Sequence, residues 1–253
     1  MTWLRRFWPA VLLAVLSAAL AAWPQANRQL FLFLHPLLHH LPAPLWRFFS
    51  VFGDWPTVLA LMLAMCWREP RRLPALIAGG AAAIALAASL KAGFAVPRPP
   101  QVLPHGMVDL LDRLPGNGSF PSGHAMASAA LATFAWRGIG WRGIGWGRAA
   151  AWLPLAGLVM LSRIAIGVHW PLDLTVGALL GWGAMRLALR FAWPDGWPRD
   201  IARTAELILL VLLAGALAWL LGHRGVFAEY WLRAAIAGGV LLVGFWRFAR
   251  RGH

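Results

Sequence analysis

Eight apolar runs, near residues 7–24, 46–67, 73–93, 121–136, 149–167, 172–192, 201–221 and 229–248, recur along this chain and leave little room for anything else. Most approach the roughly 20 residues that an α-helix needs to cross a hydrocarbon core about 30 Å thick. The run at 46–67 is interrupted by Pro56 and the one at 121–136 is short. No connecting stretch is long enough for a second soluble domain. Only 13% of the 253 residues are charged and 60% are hydrophobic, against about 25% charged in a soluble domain. The expectation is all-α: a polytopic membrane helical bundle, one integral membrane domain over residues 1–253.

The formal net charge of +14 would suggest nucleic acid in a soluble protein. Here it follows the positive-inside rule. With the N-terminus in the cytoplasm and each run crossing once, most of the 23 basic residues fall on the inner side, among them Arg5, Arg6, Arg68, Arg71, Arg72, Arg137, Arg142, Arg148, Arg186 and Arg190. The charge therefore records topology in a cell membrane, and no motif supports a nucleic-acid partner. Cys66 is the single cysteine, which excludes an intramolecular disulfide and a cysteine-rich metal site. Arg5 and Arg6 before the first run resemble a signal peptide, but the runs that follow favour its retention as a span. Residues 25–45 combine Phe31, Phe33, Leu34, Leu37 and Leu38 with His35, His39 and His40; they read as an amphipathic segment lying in the interface. With no carboxylate nearby, the histidines are not taken as a metal site.

Three polar clusters sit at ends of runs. Lys91-Ala-Gly-Phe-Ala-Val-Pro-Arg98-Pro99 leaves the third; Ser119-Phe120-Pro121-Ser122-Gly123-His124 enters the fourth; Ser162-Arg163, His169 and Asp173 join the fifth to the sixth. Ionisable residues at membrane depth are costly and usually functional. Alternating spans deliver all three clusters to one face, the extracytoplasmic one. Lys91 (the only lysine in the chain), Arg98 and Arg163 can surround the oxygens of a phosphoryl group and neutralise transition-state charge. A guanidinium offers a planar bidentate fork, an ammonium a point charge. Ser122 and Gly123, behind Pro121, can turn backbone N–H groups toward an anion. Asp173 lies four residues after His169, on a shared helix face or across a tight turn forced by Pro171. Its carboxylate can hold one imidazole nitrogen and aim the other at phosphorus. His124 is then the acid for the leaving oxygen. Each cluster also has a plainer reading: snorkelling interfacial cations, a helix N-cap, a local His–Asp hydrogen bond. Their occurrence together, in order and on one face, favours chemistry.

The clusters resemble the three signature motifs of the type 2 phosphatidic acid phosphatase family, K-x-x-x-x-x-x-R-P, P-S-G-H and S-R-x-x-x-x-x-H-x-x-x-D, without a substitution from Lys91 to Asp173. The resemblance implies a six-span phosphatase core over 1–192, a two-span C-terminal extension over 193–253, and a metal-free site without cofactor. In that site Lys91, Arg98, Ser122, Gly123 and Arg163 bind phosphate. His169 is the nucleophile that becomes phosphohistidine, His124 the general acid, and Asp173 the partner that orients His169. It further implies a membrane lipid phosphate as substrate, such as phosphatidate, phosphatidylglycerophosphate, undecaprenyl diphosphate or lipid A. Transfer of the phosphate to another lipid would use the same residues up to the intermediate. Vanadate-dependent haloperoxidases share a similar pocket but are soluble, which argues against that activity here. The seventh and eighth runs are expected to carry little polar character.

Overall fold

The computed structural model describes residues 2–66, 72–138, 151–190, 199–222 and 231–242. Among them every regular element is helical: α1 (Thr2–Ala22), α2 (Pro24–Leu38), α3 (Ala43–Val51), α4 (Trp55–Cys66), α5 (Leu73–Phe94), α6 (Pro99–Val102), α7 (Gly123–Gly138), α8 (Trp152–Ala165), α9 (Pro171–Ala188), α10 (Arg199–Gly222) and α11 (Trp231–Leu242). Each of the eight apolar runs thus contains a helix. By length and composition α5 can cross a membrane alone, and the bent pairs α1–α2 and α3–α4 each pass the same test when taken as one span.

Proline sets the breaks. Pro24 opens α2, which turns 109° away from α1. Most of residues 25–45 is regular helix. In the 46–67 run the chain breaks at Phe52–Asp54 instead of at Pro56, and α4 leaves α3 at 50°. Pro56 lies in the first turn of α4, where its missing N–H has no helical partner to lose.

The short helix α7 is the centre of the bundle and packs against α4, α5, α8 and α9. Its Ala125, Met126, Ala127, Ala130, Leu131 and Phe134 are fully buried. That accounts for a run shorter than a lipid-facing span: its neighbours, not lipid, cover it. The closest approach is to α9. A Cβ on Gly177 would meet the Ser122 carbonyl oxygen at 2.6 Å, and one on Gly181 would collide with the backbone of Met126. Small residues four apart let two helix backbones touch where lipid supplies no hydrophobic drive. On the other flank of α9, Ser17 of α1 donates to Thr175 at 2.9 Å.

The C-terminal helices pack onto α4. Leu213, Ala216, Leu217 and Leu220 of α10 and Ala237 and Val240 of α11 join Val58, Met62, Leu63 and Leu131 in one apolar cluster.

Candidate active site

The C-terminal end of α5, the N-terminal ends of α7 and α9, and the C-terminal end of α8 meet at one end of the bundle. That convergence brings the three polar clusters together.

His169 is placed by two helix ends. Helix α8 stops through a Schellman motif: the Gly167 N–H donates to the Ile164 carbonyl at 2.9 Å and the Val168 N–H to the Arg163 carbonyl at 3.2 Å. The motif needs a left-handed residue, and Gly167 supplies it with φ +86°. Val168 and His169 then lead into α9, whose N-cap is Trp170 and whose first residue is Pro171. Asp173 is the third residue of α9, and its Oδ2 accepts from the Trp170 N–H at 2.8 Å and from His169 Nδ1 at 3.3 Å. The pair therefore meets across the helix entry, the tight-turn alternative, and not along a helix face. One carboxylate oxygen caps the helix and holds the imidazole together.

With Nδ1 donating to Asp173, the lone pair lies on Nε2, and Arg98 Nη1 stands 3.5 Å from it. Burial first, then the positive charges of Arg163 and Arg98, pushes the His169 imidazole well below its ordinary range, which keeps it neutral at pH 7.

Arg98 is itself 2% exposed. Its guanidinium donates to the Val168 carbonyl at 2.7 Å, the Asn117 carbonyl at 3.0 Å and Asn117 Oδ1 at 2.8 Å. Lys91 Nζ donates to the Gly118 carbonyl at 2.7 Å. Carbonyl groups of the irregular 94–120 loop thus hold both cations, and Arg98 reaches His169. Arg163 is buried and donates to Ser50 Oγ at 2.6 Å. Ser122 is fully buried, but its N–H donates to the Asp173 carbonyl at 3.0 Å and its Oγ accepts from the Ala125 N–H at 3.4 Å. Of the two N–H groups expected to face an anion, this one is committed to joining α7 to α9. Gly123 opens α7 beside Trp55.

His124 sits in the first turn of α7, with Nε2 2.9 Å from Asp54 Oδ1. Asp54 Oδ2 lies 2.5 Å from Arg233 Nη2. Ser50, Asp54 and Arg233 are not in the three clusters, and sequence reading passed over them. The signal was present: Asp54 and Arg233 are ionisable residues inside apolar runs. The expectation of little polar character in the eighth run overlooks Arg233, which is 4% exposed.

The histidines of residues 25–45 have structural partners. His35 Nδ1 lies 2.9 Å from the Ile164 carbonyl while Nε2 accepts from the Asp109 N–H at 3.1 Å, and His39 Nε2 lies 2.8 Å from the Ala165 carbonyl. They fasten α2 to the end of α8 that carries Arg163. Among the described residues no group of three His, Cys, Asp or Glu side chains is arranged to hold a metal ion.

Among solved structures, the crystal structure of Aquifex aeolicus LpxE is similar at 29% identity and a TM-score of 0.58, covering 66% of this chain and 96% of that one. No match was found among curated proteins. The model of the PAP2 superfamily matches residues 72–197, a stretch that holds all three clusters. Both likenesses place this membrane protein in one family: the chain belongs to the PAP2 superfamily.

Proposed function

We propose that this protein is an integral membrane lipid phosphatase that works through a phosphohistidine on His169. The observation that carries the reading is His169 itself: Nδ1 is held by Asp173, while Nε2 is neutral and faces Arg98. Lys91, Arg98 and Arg163 bind the phosphate oxygens, with Gly123 at the mouth of α7. In the first step Nε2 attacks phosphorus; the N–P bond forms, the P–O bond to the lipid breaks, and His124 gives its proton to the departing oxygen. In the second step water, deprotonated by His124, displaces phosphate from Nε2. The cations supply the charge neutralisation that a metal gives other phosphatases. No carboxylate set suited to magnesium accompanies the three clusters.

Purified protein is expected to release inorganic phosphate from phosphatidate in the presence of EDTA, and vanadate is expected to inhibit by filling the phosphate site as a five-coordinate mimic. A strict magnesium requirement would point to a different mechanism. Phosphatidate, phosphatidylglycerophosphate, undecaprenyl diphosphate and lipid A assayed side by side identify the substrate. A second lipid that accepts the phosphate in place of water would show a transferase.

The site faces the extracytoplasmic side of a cell membrane in this proposal, with the core over 1–192 and the extension over 193–253 in one domain. A membrane-impermeant thiol reagent should label cysteine at position 105, but not at Gly143, in intact cells with Cys66 replaced by Ala. His105 is exposed and tolerates the change better than Gly106, whose φ of +85° strains any L side chain. The opposite labelling pattern reverses the topology.

A further inference from the structure

We infer that Asp54 and Arg233 are positioning residues for His124, so that helix α11 of the C-terminal extension is part of the proton-handling side of the site. The inference rests on the reading of His124 as the general acid.

Arg233 is in the wrong place for a structural cation. It is buried instead of snorkelling to the interface, a costly state for an unpaired charge. Buried Arg233, Ala237 and Val240 mark one face of α11, with Ala237 and Val240 in the cluster shared with α4 and α10. Packing this face against the bundle delivers the guanidinium to Asp54, at the break between α3 and α4.

Asp54 divides its two oxygens, Oδ2 toward Arg233 and Oδ1 toward His124 Nε2. An aspartate with one oxygen fixed by a guanidinium cannot swing away from the imidazole. Gly53 closes the cradle from a second direction: a Cβ there would stand 2.9 Å from both Cβ and Cδ2 of His124 and 2.6 Å from Val159 Cγ1. The ring is therefore set by backbone contact on Gly53 and by the Asp54 carboxylate.

The consequence is chemical. With Nε2–H given to Asp54, the proton for the leaving group is carried on Nδ1, and the carboxylate stabilises the imidazolium that carries it. The site thus contains two His–Asp pairs that use opposite ring nitrogens. Asp173 holds Nδ1 of His169 and leaves Nε2 for attack, while Asp54 holds Nε2 of His124 and leaves Nδ1 for donation.

The test compares turnover of phosphatidate, a poor leaving group, with p-nitrophenyl phosphate, a good one, in full-length purified protein. His124→Ala should lower the phosphatidate-to-p-nitrophenyl ratio by about 10²-fold or more. Arg233→Ala should lower the same ratio by roughly tenfold, as a fraction of that general-acid effect. Arg233→Lys, which keeps the ion pair, should restore most of it. In the His124→Ala background Arg233→Ala should not change the ratio further. Residual p-nitrophenyl turnover reports folded protein in each variant. If Arg233→Ala does not fold, the isosteric Asp54→Asn variant supplies the same reading. An unchanged ratio in the folded Arg233 or Asp54 variant, beside a selective loss in His124→Ala, overturns the inference and leaves the acid in place. A His124→Ala variant with no selectivity overturns the acid and this inference together.

Discussion

Alanine at position 169 is expected to remove turnover for every substrate, by at least about 10³-fold, in protein that still folds and inserts. Loss of a covalent nucleophile is among the largest single-residue effects in catalysis, because the remaining groups can bind the phosphate but have nothing to pass it to. The fold should survive because the backbone around His169 is fixed by other residues. Gly167 ends α8, Trp170 Nε1 donates to the Pro97 carbonyl at 2.9 Å, and Asp173 keeps the Trp170 N–H when the imidazole is gone. Phosphate release from phosphatidate measures the loss, and acid-labile label from a ³²P substrate in the wild type, absent from the variant, identifies the intermediate. More than a few percent of wild-type turnover in folded variant protein would remove His169 as nucleophile. A pH profile gives a second reading. The lowered pKa of His169 means the neutral, nucleophilic form persists as pH falls through 6.5. Its protonation should therefore limit kcat/KM only in more acidic solution.

The helices were legible in the sequence because in lipid an apolar run has few other outcomes, and their order along the chain was legible for the same reason. What the runs conceal is which helix is surrounded by protein. The short 121–136 run gives a weak span and yet becomes the central helix α7, because its alanines and Gly177 and Gly181 opposite allow contact on all sides. The three clusters were legible because their spacing is local: Lys91 to Arg98 and His169 to Asp173 each occupy one helix end and the turn beside it. Ser50, Asp54 and Arg233 were not, since their partners lie 113, 70 and 179 positions away: Arg163, His124 and Asp54 respectively. A pairing that far apart is set by helix packing, and no local pattern announces it. The sequence offered only the anomaly of charge inside an apolar run.

The second large effect separates the two histidines by kind. His124→Ala should slow hydrolysis of phosphatidate by about 10²–10⁴-fold, the usual range for general acid help. A diacylglycerol alkoxide is a strong base and cannot leave without a proton, so the whole of that help is lost. p-Nitrophenolate or a polyprenyl phosphate is a weak base that departs largely unprotonated, so the same variant should lose far less with those substrates. His169→Ala has no such substrate dependence, since no leaving group compensates for a missing nucleophile. The positions of the two rings fit the division. His169 is 3% exposed, with Arg98 beside the nitrogen that attacks, whereas the His124 side chain is 25% exposed and paired with Asp54. A second substrate series, phenyl phosphates of graded leaving-group basicity, turns the contrast into a slope. The log of the rate should depend more steeply on leaving-group basicity in His124→Ala than in the wild type, because negative charge builds on an oxygen that no proton reaches. Equal slopes, or equal losses for good and poor leaving groups, would reduce His124 to a phosphate ligand and leave the departing oxygen to take its proton from water.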